Sequence, residues 1–583
     1  MPECEKVFPH EYSSSANHLI PTTTSSSNKN ERNLLATDIM NTSSKKQKLN
    51  SCMDEINDDE QATMMTNNMI KSSTVTFSQL PYEIYVHMME FLDIDDVLTC
   101  SLINLRFNEI CNCNVVWRKK CQDVFLIPNV VFEQKGILSA IETRTHANLG
   151  NDNMTTLEAD EQELTDMMTI TPPPLSELFI SPNSVSSSKE FDPILDKMNM
   201  RQSERIEDLL TNVFGPENKH RWCKMLFIQY FKTYVRGVVS NKQDFQKACE
   251  VFRKMKRLVN QLEYYLGYHS PKIYASLFII ESTPNMFEYI ESQKTILQKD
   301  FKDLPLEFKY LYLLTDGQRG LKSKSLGLFG MYEFYSYLAA LPFISLRTNC
   351  KYLEEFRSQE YELVDSTVPF IISSNVNILI VTKPFTCSNY SYLPGNVIQL
   401  TAQGIPFVLH QSFAEWFETY VVNLTVKELF DIEESGAINR FFNSQFGSET
   451  ITNGVKITCQ SLLIPEMTQI TETESLYHFS YRVKITMDKD ETNDKSCRLQ
   501  SRHWEIFEGG DMENEEPEVV DGPGVVGLFP KVVPGSVFSY CSCTQSSSEI
   551  GYMRGFFVMQ KLNDGTIFNA MIDPFPISIQ YHV

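Results

Sequence analysis

The chain has 583 residues, of which 42% are hydrophobic and 11% aromatic, with a formal net charge of -22 at pH 7 and a pI near 5.0. At roughly 100–200 residues per domain, this length predicts three or four folded units. So acidic a chain repels phosphate backbones and anionic lipid heads, so neither nucleic acid nor a membrane surface is expected as a partner.

Residues 1–76 are rich in Ser, Thr, Asn and Lys and lack apolar periodicity, which predicts a disordered tail. Their one basic run, Lys45-Lys46-Gln47-Lys48, reads as a weak import signal or as part of a solvated tail. Neither a signal peptide nor the ~18 apolar residues needed to span a bilayer is found. Residues 77–132 become helical, and 133–203 turn acidic and proline-bearing again, with the breaker run Thr171-Pro172-Pro173-Pro174. That stretch is expected to be a disordered insert. Helices resume as an extension over 204–268, with segments at 221–236 and Phe245 to Leu266. A mixed α+β region follows over 269–425, then a linker over 426–450 and an all-β region over 451–583.

Within 77–132, Leu80, Ile84, Met88 and Leu92 recur every four residues, with Tyr85 and Met89 beside them, as one stripe of an amphipathic helix. Pro81 and Glu83 suit its first turn. Asp93, Asp95 and Asp96 open a second helix, Leu98, Leu102 and Leu105 continue the apolar face, and Phe107, Ile110, Val116 and Trp117 extend it through a third segment. So small a unit buries too little surface to stand alone, and its stripe must find a partner inside or outside the chain. The runs Leu80-Pro81-Tyr82-Glu83-Ile84, Phe91-Leu92-Asp93, Asp95-Asp96-Val97-Leu98 and Val116-Trp117-Arg118 resemble the F-box. The resemblance implies binding to a Skp-type adaptor through Leu80, Pro81, Ile84, Val97 and Leu98, with Leu92 and Trp117 structural. Ile103-Asn104 departs from the family's usual Val-Cys pair.

In the α+β region, Asp316-Gly317 predicts a turn, and Gly327-Leu328-Phe329-Gly330 a tight strand junction. Val368 to Val381 predicts strands, and Phe413-Ala414-Glu415-Trp416-Phe417 opens a closing helix. This arrangement resembles the SUKH (Smi1/Knr4) fold, which implies a binding module.

The cleanest strand signal lies at 477–487, where Tyr477, Phe479, Tyr481, Val483, Ile485 and Met487 share one face. Further strands around Val455–Cys459, Trp504, Val537–Tyr540, Met553–Met559 and Ile567–Ile572 predict a β-sandwich. His478 and His503 read as hydrogen-bonded strand residues. The acidic stretch from Glu505 to Asp521 contains no Lys or Arg and is expected to extend into solvent as an arm. Gly522-Pro523-Gly524-Val525-Val526-Gly527 matches a dinucleotide-binding fingerprint, but Pro530 and Pro534 follow it where that fingerprint needs a helix. The same glycines, with Phe529-Pro530, Pro534-Gly535, Cys543-Thr544, Gly551-Tyr552-Met553 and Pro574-Phe575, resemble the ApaG domain, a fibronectin-type sandwich.

The 14 cysteines form no regular framework; Cys111-Asn112-Cys113 and Cys541-Ser542-Cys543 lack a second pair or a histidine at zinc-binding distance. A reducing compartment, nucleus and cytoplasm, is therefore expected. No catalytic, cofactor-binding or metal residue is assigned. The combined resemblances imply a non-catalytic substrate-recognition subunit of a Skp–cullin–F-box ubiquitin ligase, joined through the Skp-type adaptor to a cullin–RING core. The alternatives are a small-ligand or nucleotide-binding protein built on the Gly522–Gly527 loop, and an adaptor-bound scaffold without ligase activity.

Overall fold

The computed structural model describes residues 80–128 apart from Asp93, Phe132, residues 192–215, and residues 221–579 apart from 321–325, 335–336, 359–362, 364, 374–375, 388–389, 402, 443–446, 472–473 and 510. The expected tail, its basic run and the insert up to residue 191 lie outside the described residues. Among the described residues no helix is long and apolar enough to cross a membrane.

The N-terminal unit contains four helices, α1 (Tyr82–Phe91), α2 (Ile94–Ser101), α3 (Leu105–Asn112) and α4 (Asn114–Phe125). The expected third segment is split at Cys113, whose extended backbone (φ -71°, ψ 150°) ends α3 and starts α4. Asn104 caps α3, its side chain accepting from the Phe107 amide at 3.0 Å. Lys120 of α4 is buried, and its ammonium donates to the Glu90 and Leu92 carbonyls, which would otherwise be orphaned at the C-terminal end of α1.

The next helix, α5 (Pro193–Asp208), starts earlier than the expected 204. Its start is fixed by Asp192, which accepts from the Ile194 and Leu195 amides at 3.1 and 3.0 Å and from the Tyr264 and Tyr268 hydroxyls at 2.7 and 2.6 Å. Asp before Pro is a helix-start signal, masked in the sequence by the Ser-rich tract ahead of it. Helices α6 (Trp222–Phe231), prolonged by a π turn at Lys232–Arg236, and α7 (Phe245–His269) realise the expected extension. Trp117 of α4 packs against Phe227 of α6 (5.2 Å between rings), and Phe125 against Phe252 of α7 (5.7 Å).

The α+β region runs through α8 (Pro271–Ser276), β1 (Leu277–Ile279), α9 (Met286–Asp300), α10 (Leu306–Leu314) and β2 (Thr315–Gln318). It continues with β3 (Met331–Phe334), β4 (Tyr337–Ala340), α11 (Leu346–Ser358), β5 (Thr367–Ile372) and β6 (Asn377–Val381). After the small hairpin β7 (Phe385–Cys387) and β8 (Tyr390–Tyr392) come β9 (Val397–Leu400), β10 (Pro406–His410) and α12 (Phe413–Thr425). One antiparallel sheet has the order β10-β9-β6-β5. Another, β11-β12-β3-β4, recruits β11 (Phe430–Ile432) and β12 (Ile438–Phe442), so part of the expected linker is strand instead. Phe430, Ile438 and Phe441 are buried there, which explains why the segment packs. The predicted turn at Asp316-Gly317 lies within β2: Gly317 takes φ +74°, and a Cβ there would stand 2.6 Å from the Ser345 amide nitrogen.

The C-terminal region holds β13 (Ser448–Thr452), β14 (Val455–Leu463), β15 (Gln469–Ile470), β16 (Ser475–Met487), β17 (Cys497–Phe507), β18 (Glu518–Pro523), β19 (Lys531–Val532), β20 (Val537–Ser546), β21 (Ile550–Lys561) and β22 (Ile567–Ser578). They make two five-stranded sheets, β13-β14-β16 with β15 and β20 on β16, and β18-β17-β21-β22 with β19 on β17. Tyr477, Phe479, Tyr481, Val483, Ile485 and Met487 all join the apolar core of this region, as their period of two requires. The acidic arm is corrected to a hairpin: β18 pairs with β17 from Ser501 to Ile506, and Glu515 accepts from the Glu508 and Gly509 amides across the turn.

One apolar core runs from Tyr85 in α1 through the helices and the α+β region to Leu462 and Ile464 of the C-terminal region.

Candidate functional site

Helix α1 is apolar on two faces. Tyr85, Val86 and Met89 are buried, while Ile84 and Met88 remain partly open and Phe91 is 77% exposed. Spacings of four and three place Ile84, Met88 and Phe91 on one outward stripe. The Arg106 guanidinium lies 4.9 Å above the Tyr85 ring and donates to the Leu80 carbonyl at 3.2 Å, which brings the start of α3 to the start of α1. There Leu102 is 75% and Leu105 81% exposed, with Ile103 between them also open. Burying a Leu or Phe side chain stabilises by roughly 1.5–3 kcal/mol, a gain these residues forgo in the isolated chain. Such a group of large apolar side chains held open on a helical unit makes this a candidate docking face.

Of the five residues expected to dock, Pro81 and Ile84 are exposed and Leu80 is half-buried against the core. Val97 and Leu98 require correction, because they are 1% and 7% exposed. Ile94, Val97 and Leu98 occupy positions i, i+3 and i+4 of an eight-residue helix, so they form the buried stripe by which α2 attaches to its neighbours. Pro81 and Ile84 are thus open to solvent, Leu80 packs partly against the core, and Val97 and Leu98 are buried. Phe91, Leu102, Ile103 and Leu105 belong to the open face and were not singled out as docking residues. Their one signal was position: α2 ends at Ser101, and Leu102 and Ile103 fall between it and the Asn104 cap of α3, where no helix turns them inward.

Below the face, Trp117 is fully buried and donates from Nε1 to the Cys111 carbonyl at 2.7 Å. Asn114 accepts from the Cys223 amide at 3.0 Å, and Lys224 donates to Asn112 at 2.6 Å. These contacts tie the docking unit to α6 by polar as well as apolar means.

At the opposite end, the C-terminal sheets meet the α+β region at Glu466. The Tyr332 hydroxyl of β3 and the Gln399 amide of β9 (2.8 Å) both donate to its buried carboxylate. Burial pushes its pKa up to about 8. Arg482 donates to Asp431 nearby, a second link between the two regions.

Gly522 and Pro523 end β18, and the rest of the Gly522–Gly527 segment is a tight turn in which the Val525 and Leu528 amides donate to each other's carbonyls at 2.9 and 2.8 Å. The next element is the short strand β19, so the segment offers no helix N-terminus to a pyrophosphate. His478 bonds Gln545 at 3.1 Å, and His503 bonds Asp521 at 2.8 Å, so both strand histidines are hydrogen-bonded.

Residues 77–123 match the F-box-like family model, and residues 467–561 match that of the ApaG domain. The chain is 34% identical over 171 residues to F-box only protein 3 of Homo sapiens, covering 29% of this chain and 34% of that protein. It is 24% identical over 318 residues to F-box protein SKIP16 of Arabidopsis thaliana, covering 48% of this chain and 70% of that protein. It is also 34% identical over 132 residues to Protein ApaG of Anaeromyxobacter dehalogenans, covering 23% of this chain and 95% of that protein. The match to F-box only protein 3 thus spans about a third of that relative's length. With an F-box-like unit presenting the open face of α1 and a near-complete ApaG counterpart closing the fold, the chain belongs to the ApaG family through its C-terminal region and carries an F-box-like domain at its N-terminal end.

Proposed function

We propose that this chain is the substrate-recruiting subunit of a Skp–cullin–F-box ubiquitin ligase, acting in nucleus and cytoplasm. The observation that carries the reading is the open apolar face of the F-box-like unit, made by Ile84, Met88 and Phe91 on α1 with Leu102, Ile103 and Leu105 beside the start of α3. A Skp-type adaptor covers this face and links the chain to a cullin–RING core. The chain itself does no chemistry. It holds a protein substrate near an activated ubiquitin, and the gain in rate is one of proximity. The α+β region is read as a SUKH-like module, on the strength of its four-stranded sheets flanked by helices. The C-terminal region is read as a fibronectin-type sandwich, on the strength of its two five-stranded sheets around one core. These two modules are the substrate-facing part.

The test is co-purification of the adaptor with the wild type and with Ile84→Ser combined with Leu105→Ser. Both side chains are exposed, so the fold tolerates the change. Loss of two burials of roughly 1.5–3 kcal/mol each lowers affinity by about 100-fold or more. Equal recovery of adaptor by the two proteins, with unchanged melting, refutes the reading.

A further inference from the structure

We propose that the open edge of β18 receives an extended basic peptide segment as an added strand. This goes beyond adaptor docking and concerns a surface at the other end of the chain.

β18 pairs with β17 on one side, and among the described residues no strand lies on its other side. Its backbone between Glu518 and Pro523 thus presents a row of amide and carbonyl groups to solvent, a template for one more strand.

The edge is also held at both ends. Before it, the Glu515 carboxylate accepts from the Glu508 and Gly509 amides at 2.7 and 2.8 Å, closing the hairpin turn. After it, Val525 is fully buried in the core, and Arg502 donates to the Gly524 carbonyl at 2.9 Å. A strand fixed in this way loses little freedom when a partner pairs with it, so the cost of ordering falls mainly on the incoming segment.

The side chains define the chemistry of that segment. From Glu505 to Leu528 the sequence contains no Lys or Arg. Glu516, Glu518 and Asp521 are exposed along the edge, and Val519 is 52% exposed between the latter two. Val519 pairs with Glu505, and Asp521 with His503, so both lie on the outer face of their sheet. An added strand of alternating Lys and Val therefore sets its Lys side chains on the outer face, one at Asp521 and the methylene stem of the next over Val519, and its Val side chains on the inner face beside the half-buried Val520. Charge on an edge normally keeps two copies of a protein from pairing. Here all of it is of one sign, so it rejects another copy of this chain while attracting a basic strand.

The test uses the full chain and a blocked ten-residue peptide of alternating Lys and Val, followed by fluorescence anisotropy at low and physiological salt. Controls are the Glu/Val counterpart and a Lys/Val peptide N-methylated at alternate residues. The Lys/Val peptide binds and slows amide exchange at 518–523, the Glu/Val peptide does not bind, and N-methylation weakens binding by at least about tenfold. Glu518→Lys combined with Asp521→Lys abolishes Lys/Val binding and creates Glu/Val binding. Equal affinity for the N-methylated peptide means charge capture without strand addition and overturns the proposal, as does unchanged exchange at 518–523. Since no readout depends on ubiquitin or on the adaptor, this outcome is separable from that of the ligase reading.

Discussion

Replacing Glu466 by Gln isolates the charge buried between the α+β region and the C-terminal sheets. The folded carboxyl titrates near 8 against an ordinary 4.5, because burial penalises the ionised form. Between these values the folded chain keeps a proton that the unfolded chain releases, so stability falls as pH rises, at about 1.4 kcal/mol per unit. From pH 5.5 to 7.5 the wild type therefore loses roughly 2–3 kcal/mol through this one group. The Tyr332 and Gln399 donors favour the charged form and shorten the window at its upper end. Gln fills the same volume, accepts from Gln399 and faces the Tyr332 hydroxyl with its amide nitrogen, yet it has no charge to bury. Thermal midpoints of both proteins, measured from pH 5 to 8.5, are expected to converge at the acid end and to separate in favour of Glu466→Gln toward pH 8. Parallel curves across this range would show that Glu466 is ionised throughout or is reached by water, and the reasoning from burial would fail.

Trp117→Ala empties the seam between α4 and Phe227 and is expected to cost about 3–5 kcal/mol in chemical denaturation, far above the cost of Ile84→Ser on the open face. Gly555→Ala places a Cβ 2.0 Å from the His503 carbonyl oxygen on the neighbouring strand, so it should lower the melting midpoint sharply, while Gly565→Ala, whose Cβ would meet only Gln560 Nε2 at an ordinary 3.7 Å and whose φ of +74° is the remaining penalty, lowers it less. Limited proteolysis followed by mass spectrometry should give a resistant fragment that starts close to Asp192, because four hydrogen bonds to its carboxylate fix the start of α5; a fragment starting near 204 would contradict the anchoring.

Legibility in the sequence followed the range of the interactions. β16 could be read because each of its alternate residues from Tyr477 to Met487 goes into one core, so local pattern and burial coincide. Helix α1 was legible as a helix but not in its orientation. Ile84 and Met88 repeat as regularly as Tyr85 and Met89, and periodicity alone does not say which stripe faces inward. Val97 and Leu98 were assigned to docking by the family resemblance alone, whereas their burial makes them the stripe that attaches α2. Glu466 was invisible for a different reason. Its donors stand 134 and 67 residues earlier in the chain, and nothing near Pro465 marks a carboxylate for burial. The acidic hairpin misled because charge density predicts solvation of side chains, while the backbone of β18 still finds β17.

Helix α7 has 25 residues, so at ~1.5 Å per residue it is a rod of about 37 Å. Near its start Arg253 donates to the Asp123 carbonyl at the end of the docking unit, and further along Gln261 donates to Thr425 at the end of α12. It therefore acts as a ruler laid across two modules, with its graduations read by side chains on both. One residue inserted between Arg253 and Gln261 would turn the far module by ~100° relative to the near one, and only gains or losses of whole turns would preserve the alignment. Relatives of this chain can thus be expected to vary freely in loop length while keeping this spacing constant, because the length of a single helix sets the separation of the two modules it crosses.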